Sequence, residues 1–287
     1  MRRKRKWKDI ITYNKIFLFS YFGITREEVK NDSCKNTALL VCIKRAYQDV
    51  CRRMDYLYST EDLKTMNEEK RAFKACKDAF LADDDQDSTK SAIALLKNRI
   101  NHLLAIGNYN RKSFEQWHEE TCDELITLAN SNEKRLFQSG ASFSYGQAQK
   151  WVNLTLKNMY VMGLWPVLED IKGLLHVTID SYILKAAAKQ HNNNEYALHK
   201  SIAPIDHNDD DYASQCTYYH ENKDKDGNKS CPWSKMNKKD YMRLQCAIKR
   251  AIGTSENKDL TPFAWENKAW LVQARIEKEK GKNKKKP

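Results

Sequence analysis

Apolar residues spaced three and four apart recur along most of this 287-residue chain, and little interrupts them: Gly occurs only 9 times and Pro only 5. Strands and tight turns need those two residues at their ends, so the pattern restricts the chain to a mostly α fold. Leu39, Leu40, Ile43, Ala46, Val50 and Met54 predict a helix over 36–57. Ser59 or Thr60 is the expected cap of a second over 61–82, which opens on acidic residues. The stretch 91–106 carries Ile93, Leu96, Ile100 and Leu103 and stops at Gly107. The stretch 112–129 carries Phe114, Trp117, Cys122 and Leu125, and two more helices are expected over 240–252 and 262–279. His118, beside Glu119 and Glu120, is expected to be exposed and paired with acids.

A content of 41% hydrophobic and 10% aromatic residues is that of a globular chain with enough material for a core. The organisation expected is a basic and aromatic arm over 1–33, one helical domain over 34–279, and a basic tail over 280–287. Residues 191–234, rich in Asn and Asp, break the helical pattern and read as a polar insertion. The Asp-Gly of DKDGNK within it has the turn chemistry of a small β-hairpin. The eight cysteines form no C-x-x-C pair, and several fall at helical core positions. This reads as a reduced, intracellular, cytoplasmic protein. No run approaches the ~18 apolar residues of a membrane span.

Two sets of polar residues within the insertion are of metal-ligand types. Counted as a calcium loop from Asn222, the twelfth position is Trp233 where a bidentate Glu is required, which excludes calcium. Cys216, His220 and Cys231 are zinc-ligand types, but their spacing matches no standard zinc pattern and a fourth ligand is absent nearby. No metal and no cofactor is expected. The formal net charge of +12 favours a polyanionic partner, nucleic acid foremost, although RRKRK at the start and KEKGKNKKK at the end hold much of the surplus.

The stretch 143–184 concentrates the chemistry-bearing residues. A glycine-marked turn is expected to lead into a helix opening near Lys150, and an apolar run then ends in Asp180, which starts another helix. An amine and a carboxylate at two helix starts form a candidate catalytic pair. His176, just upstream of Asp180, is read as a loop histidine near the site with no assigned role.

Three segments resemble the archaeal 8-oxoguanine DNA glycosylase family, an outlying branch of the helix-hairpin-helix DNA glycosylases. They are Gln149-Lys150 with Leu156-Lys157 following, Val177-Thr178-Ile179-Asp180-Ser181-Tyr182, and Leu260 to Trp270. The resemblance covers about 140–184 and 240–275. It implies a helix-hairpin-helix glycosylase-like fold in which Lys150 is the nucleophile and Asp180 the catalytic carboxylate. Glu266, four residues before Trp270, and Trp270 itself would hold the extruded base. The chain departs from the family at Thr178, where a proline is expected, and at Glu266, where an aspartate is expected. FQSGASFSYG stands in place of an L-P-G-x-G hairpin.

The chemistry gives each residue type a reason. Attack at the sugar C1′ needs a neutral amine, which an apolar pocket or the positive field of a helix start would favour for Lys150. A carboxylate such as Asp180 steadies the charge that grows on the sugar. Trp270 would stack on the base and Glu266 accept a hydrogen bond from its edge. Lys134, Arg135 and Lys157 are the expected phosphate contacts. The function expected is therefore a DNA glycosylase acting as a monomer on damaged or modified DNA, with β-elimination able to follow. The alternative is a nucleic-acid-binding protein on the same scaffold without catalysis.

Overall fold

A computed structural model of the chain describes residues 23, 34–83, 90–106, 109–131, 136–187, 195–198 and 233–283. Among the described residues there are nine α-helices and no strand. They are α1 (Cys34–Cys51), α2 (Glu68–Phe80), α3 (Ala92–Ile106), α4 (Arg111–Ala129), α5 (Tyr145–Met162), α6 (Val167–Ile171), α7 (Ser181–Ala187), α8 (Lys238–Thr254) and α9 (Pro262–Asn283). The chain is thus mostly α, as its periodicity predicts. The basic arm, the DKDGNK turn, and Cys216, His220 and Cys231 lie outside the described residues.

Contacts divide the chain into two compact units. The first comprises Met1–Phe143 and Leu154–Asp170, the second Ser144–Asn153 and Ile171–Pro287. Helix α5 contributes its first half to the second unit and its last half to the first.

In the first unit α3 packs against both α1 and α4. The stripe predicted for α1 is the buried one: Leu39, Ile43, Ala46 and Val50 are all inside. Leu39, Ile43 and Val50 each contribute roughly 1.5–3 kcal/mol by leaving water, so the stripe outweighs any single cap. Caps instead set the boundaries. Asn110 and Ser113 form a reciprocal capping box at α4, and Ser91 Oγ accepts from Ala94 N at α3. The expected helix over 61–82 is interrupted: a short 3-10 turn spans Asp62–Lys64, and Asn67 caps a fresh start at Glu68 through Lys70 N. Helix α1 ends before 57 because the chain becomes extended. Leu57 N donates to Leu136 O, Gln138 N donates to Asp55 O, and Tyr56 stacks on Phe137 at 5.6 Å. His118 is not exposed as its acidic neighbours suggest. Its ring is fully buried, 3.8 Å from Cys122 Sγ, on the face of α4 that carries Phe114. Burial also pushes the Cys42 thiol far up, so it behaves as core and not as a nucleophile.

In the second unit α9 packs against α7 and α8. Trp151, Ile179, Ile183, Tyr241, Trp265 and Ala269 form its centre. Trp265 donates its indole N–H to Tyr196 O, so even this buried ring has its polar atom satisfied. Thr261 caps α9 ahead of Pro262, which stands at the first helical position where its missing N–H costs nothing. The helix runs to Asn283, so the first residues of the expected basic tail are helical.

Candidate functional site

The site begins with the first turn of α5. Ser144 and Gln147 cap it reciprocally: Ser144 N donates to Gln147 Oε1 and Gln147 N to Ser144 Oγ. This S-x-x-Q box places the helix start at Tyr145 and leaves Lys150 in the second turn, later than expected. The field of a helix start fades within its first turn, so the rationale given to Lys150 on that ground does not hold. Gly146 meets the chain at 233–236 at backbone contact. A Cβ there would lie 1.9 Å from Trp233 O, and Gly146 N donates to Met236 O at 2.9 Å. Ser144 Oγ also donates to Ser234 O, so the 3-10 turn Trp233–Lys235 is fastened to the start of α5.

The second component is the extended segment 176–180. It has no partner strand among the described residues, and side chains from three helices bond the backbone of Val177, Thr178 and Ile179. Val177 N donates to Gln245 Oε1 at 3.0 Å, and Val177 O accepts from Gln245 Nε2 at 2.6 Å. Thr178 N donates to Glu266 Oε2 at 3.0 Å. Ile179 O accepts from Gln149 Nε2 at 3.1 Å, and Ile179 N donates to Gln149 Oε1 at 3.4 Å. Asn153 Nδ2 donates to Gln149 Oε1 and to Tyr241 OH, and His176 Nδ1 lies 2.9 Å from that same hydroxyl. Buried backbone groups left without partners would cost about 1–3 kcal/mol each, so this polar clasp is what permits an extended segment inside a helical unit.

Gln149 and Ile179 are thereby bonded, and the residues that follow each of them meet. Lys150 Nζ lies 3.8 Å from Asp180 Oδ2, with the two side chains 12% and 14% exposed. That is ion-pair range and longer than a direct hydrogen bond. With an effective dielectric near 20 the gross attraction is about 4 kcal/mol, before desolvation is subtracted. The Asp180 carboxylate is fixed at both oxygens. Oδ1 accepts from Tyr182 N and Ile183 N, both at 2.9 Å, which caps α7. Oδ2 accepts the Trp270 indole N–H at 2.9 Å. The Trp270 ring is 37% exposed and meets Tyr182 edge-on at 5.2 Å. On the other side, the Lys150 ammonium sits 4.4 Å from the centre of the Trp233 ring, which is 5% exposed.

Of the residues singled out by sequence, Lys150, Asp180 and Trp270 are brought together. Glu266 is in the same unit but is only 3% exposed and accepts from Thr178 N, so it holds the segment in place. Lys157 is half-buried on the last half of α5, in the first unit. Lys134 and Arg135 lie outside the described residues. Among the described residues no group of His, Cys, Asp and Glu could hold a metal ion. Likewise, no described helix is long and apolar enough to cross a membrane.

Two residues at the site were not singled out by sequence. Gln149, the neighbour of Lys150, carries the link between the two halves of the site. Its signal was a polar residue on the apolar face of a helix. Trp233 was counted within the polar insertion, and nothing in its local sequence points to Lys150.

No family model, no curated protein and no solved structure matches the chain.

Proposed function

We propose that the second unit carries the active site of a DNA glycosylase that removes a damaged or modified base by amine attack. The observation that carries this reading is the Lys150–Asp180 pair: an amine and a carboxylate 3.8 Å apart, both mostly buried, with the acid locked by three N–H donors. The resemblance of its three segments to the archaeal 8-oxoguanine branch of the helix-hairpin-helix glycosylases supports the same assignment. So does the basic balance of the chain.

In this mechanism Lys150 first loses one proton to solvent as substrate enters, so that the amine is neutral while Asp180 stays ionised. The Lys150 Nζ–C1′ bond then forms as the C1′–base bond breaks. The departing base takes the electron pair and is protonated. Positive charge on the sugar is greatest midway, and Asp180 Oδ2 is fixed to face it without reorganising. The attached amine loses a proton, the C1′–O4′ bond breaks with O4′ taking the electron pair and a proton, and the opened sugar is left as a protonated Schiff base. Loss of the C2′ proton then breaks the C3′–O bond and cleaves the strand. Trp270, with part of its ring exposed beside Asp180, is the stacking surface for the extruded base.

A second reading, a nucleic-acid binder without chemistry, is favoured by Glu266. Its carboxylate is turned to Thr178 N and is not displayed to a base edge. Borohydride trapping on duplexes that carry oxidised, deaminated or abasic sites separates the two. The glycosylase reading predicts a covalent adduct that Lys150→Ala abolishes and Asp180→Asn lowers at least a hundredfold, with binding retained. Retained binding with no adduct on any of these duplexes would leave the binder.

A further inference from the structure

We propose that Trp233 is a positioning residue for Lys150, holding the resting ammonium beside Asp180; the inference rests on the reading of Lys150 as the nucleophile. Three observations carry it. The Trp233 ring centre is 4.4 Å from Lys150 Nζ, inside the distance at which an indole face attracts a cation, and the indole is nearly fully buried. The ring is also placed by backbone, not by side-chain packing alone. Gly146 leaves no Cβ to keep Trp233 O away, Gly146 N donates to Met236 O, and Met236 N donates to Trp233 O. Finally, the fastening lies one helical turn before Lys150, so the two segments that carry the ring and the amine are bonded to each other close to both.

This arrangement has a consequence for reactivity. An indole face favours the ammonium over the neutral amine, and Asp180 does the same. The resting lysine is therefore aligned but subdued. Substrate must displace it from the ring, and the ring then returns the amine to the same place after each turnover. Loss of the ring should release the amine to small reagents while spoiling its alignment toward a sugar.

The test uses the full chain and formaldehyde with cyanoborohydride, reading methylation of Lys150 by peptide mass spectrometry against Lys185 and Lys268 as internal standards. Trp233→Leu should raise Lys150 methylation roughly five- to thirtyfold relative to those standards, the range expected for a desolvated cation–π contact. Trp233→Phe, with a weaker ring, should give a smaller rise. In borohydride trapping on abasic duplex the same variants should move the other way, with a lower single-turnover rate and little change in affinity. A general loss of structure would raise labelling at all three lysines. Should Trp233→Leu fail to fold, the graded comparison of Trp233→Phe with Trp233→Tyr carries the test. Lys150 labelling unchanged in every variant would overturn the proposal. Increased labelling in a protein that traps no DNA would keep the positioning role and remove the glycosylase reading.

Discussion

Replacing Trp270 with Phe keeps a ring against Tyr182 but deletes the N–H that Asp180 Oδ2 accepts. A hydrogen bond to a charged group contributes about 1.5–3 kcal/mol. Single-turnover excision is expected to slow by roughly ten- to a hundredfold in Trp270→Phe, with DNA affinity nearly unchanged. Glu266→Ala acts differently, since it leaves the buried Thr178 N–H without its acceptor. It should cost about 1–3 kcal/mol of stability in urea denaturation. Lys150 and Asp180 were paired in the sequence as two residues near helix starts, and the structure brings them together beside Trp270. The inward turn of Glu266 could not be read there, because it depends on an extended segment whose backbone lacks a partner strand among the described residues. Trp233 was invisible for a related reason. It is more than eighty residues from Lys150 and reaches it only through a backbone contact that Gly146 permits.

Helix boundaries follow side-chain caps, and the sequence was readable wherever the cap is local. Ser91, Thr261 and Asp180 all stand where a capping residue belongs. Helix α5 starts at Tyr145 and not near Lys150, because Ser144 and Gln147 cap it there. The break before α2 was missed because Asn67 competes with a continuous apolar pattern. Two predictions sit at this scale. Gly146→Ala forces the 233–236 turn away from α5 and should destabilise the second unit by about 1–3 kcal/mol, seen as a lowered urea midpoint. The second concerns the α7–α9 contact, where Lys185 Nζ lies 2.8 Å from Glu277 Oε2. Burial pushes the Glu277 carboxyl up, but Lys185 and Lys280 pull it further down, for a net value below the glutamate norm. Its stabilisation is thus complete above the unfolded glutamate value and is lost as pH falls through the lower folded one. The pair is partly exposed, so the loss is about 0.2–1 kcal/mol. Glu277→Gln should remove that part of the acid dependence in stability measured between neutral and acidic pH.

At the scale of the whole molecule the dominant fact is charge. An excess of +12 on 287 residues is a property of the whole chain, and RRKRK at the start and KEKGKNKKK at the end hold much of it. If a partner is DNA, the logarithm of the affinity should fall linearly with the logarithm of salt, with a slope of about −0.9 for each phosphate neutralised. A flat dependence would speak against any polyanion. Helical class was legible because period and Gly/Pro scarcity are properties of the entire chain. The division into two units was not, since one helix, α5, belongs to both and no break in composition marks the change. The measurement that bears most directly on the account is peptide mapping of a borohydride-reduced adduct between the full chain and an abasic duplex. The account predicts a single modified residue, Lys150, and loss of the adduct in Lys150→Ala. A reduced sugar on any other lysine, or an adduct that persists in that variant, would contradict it.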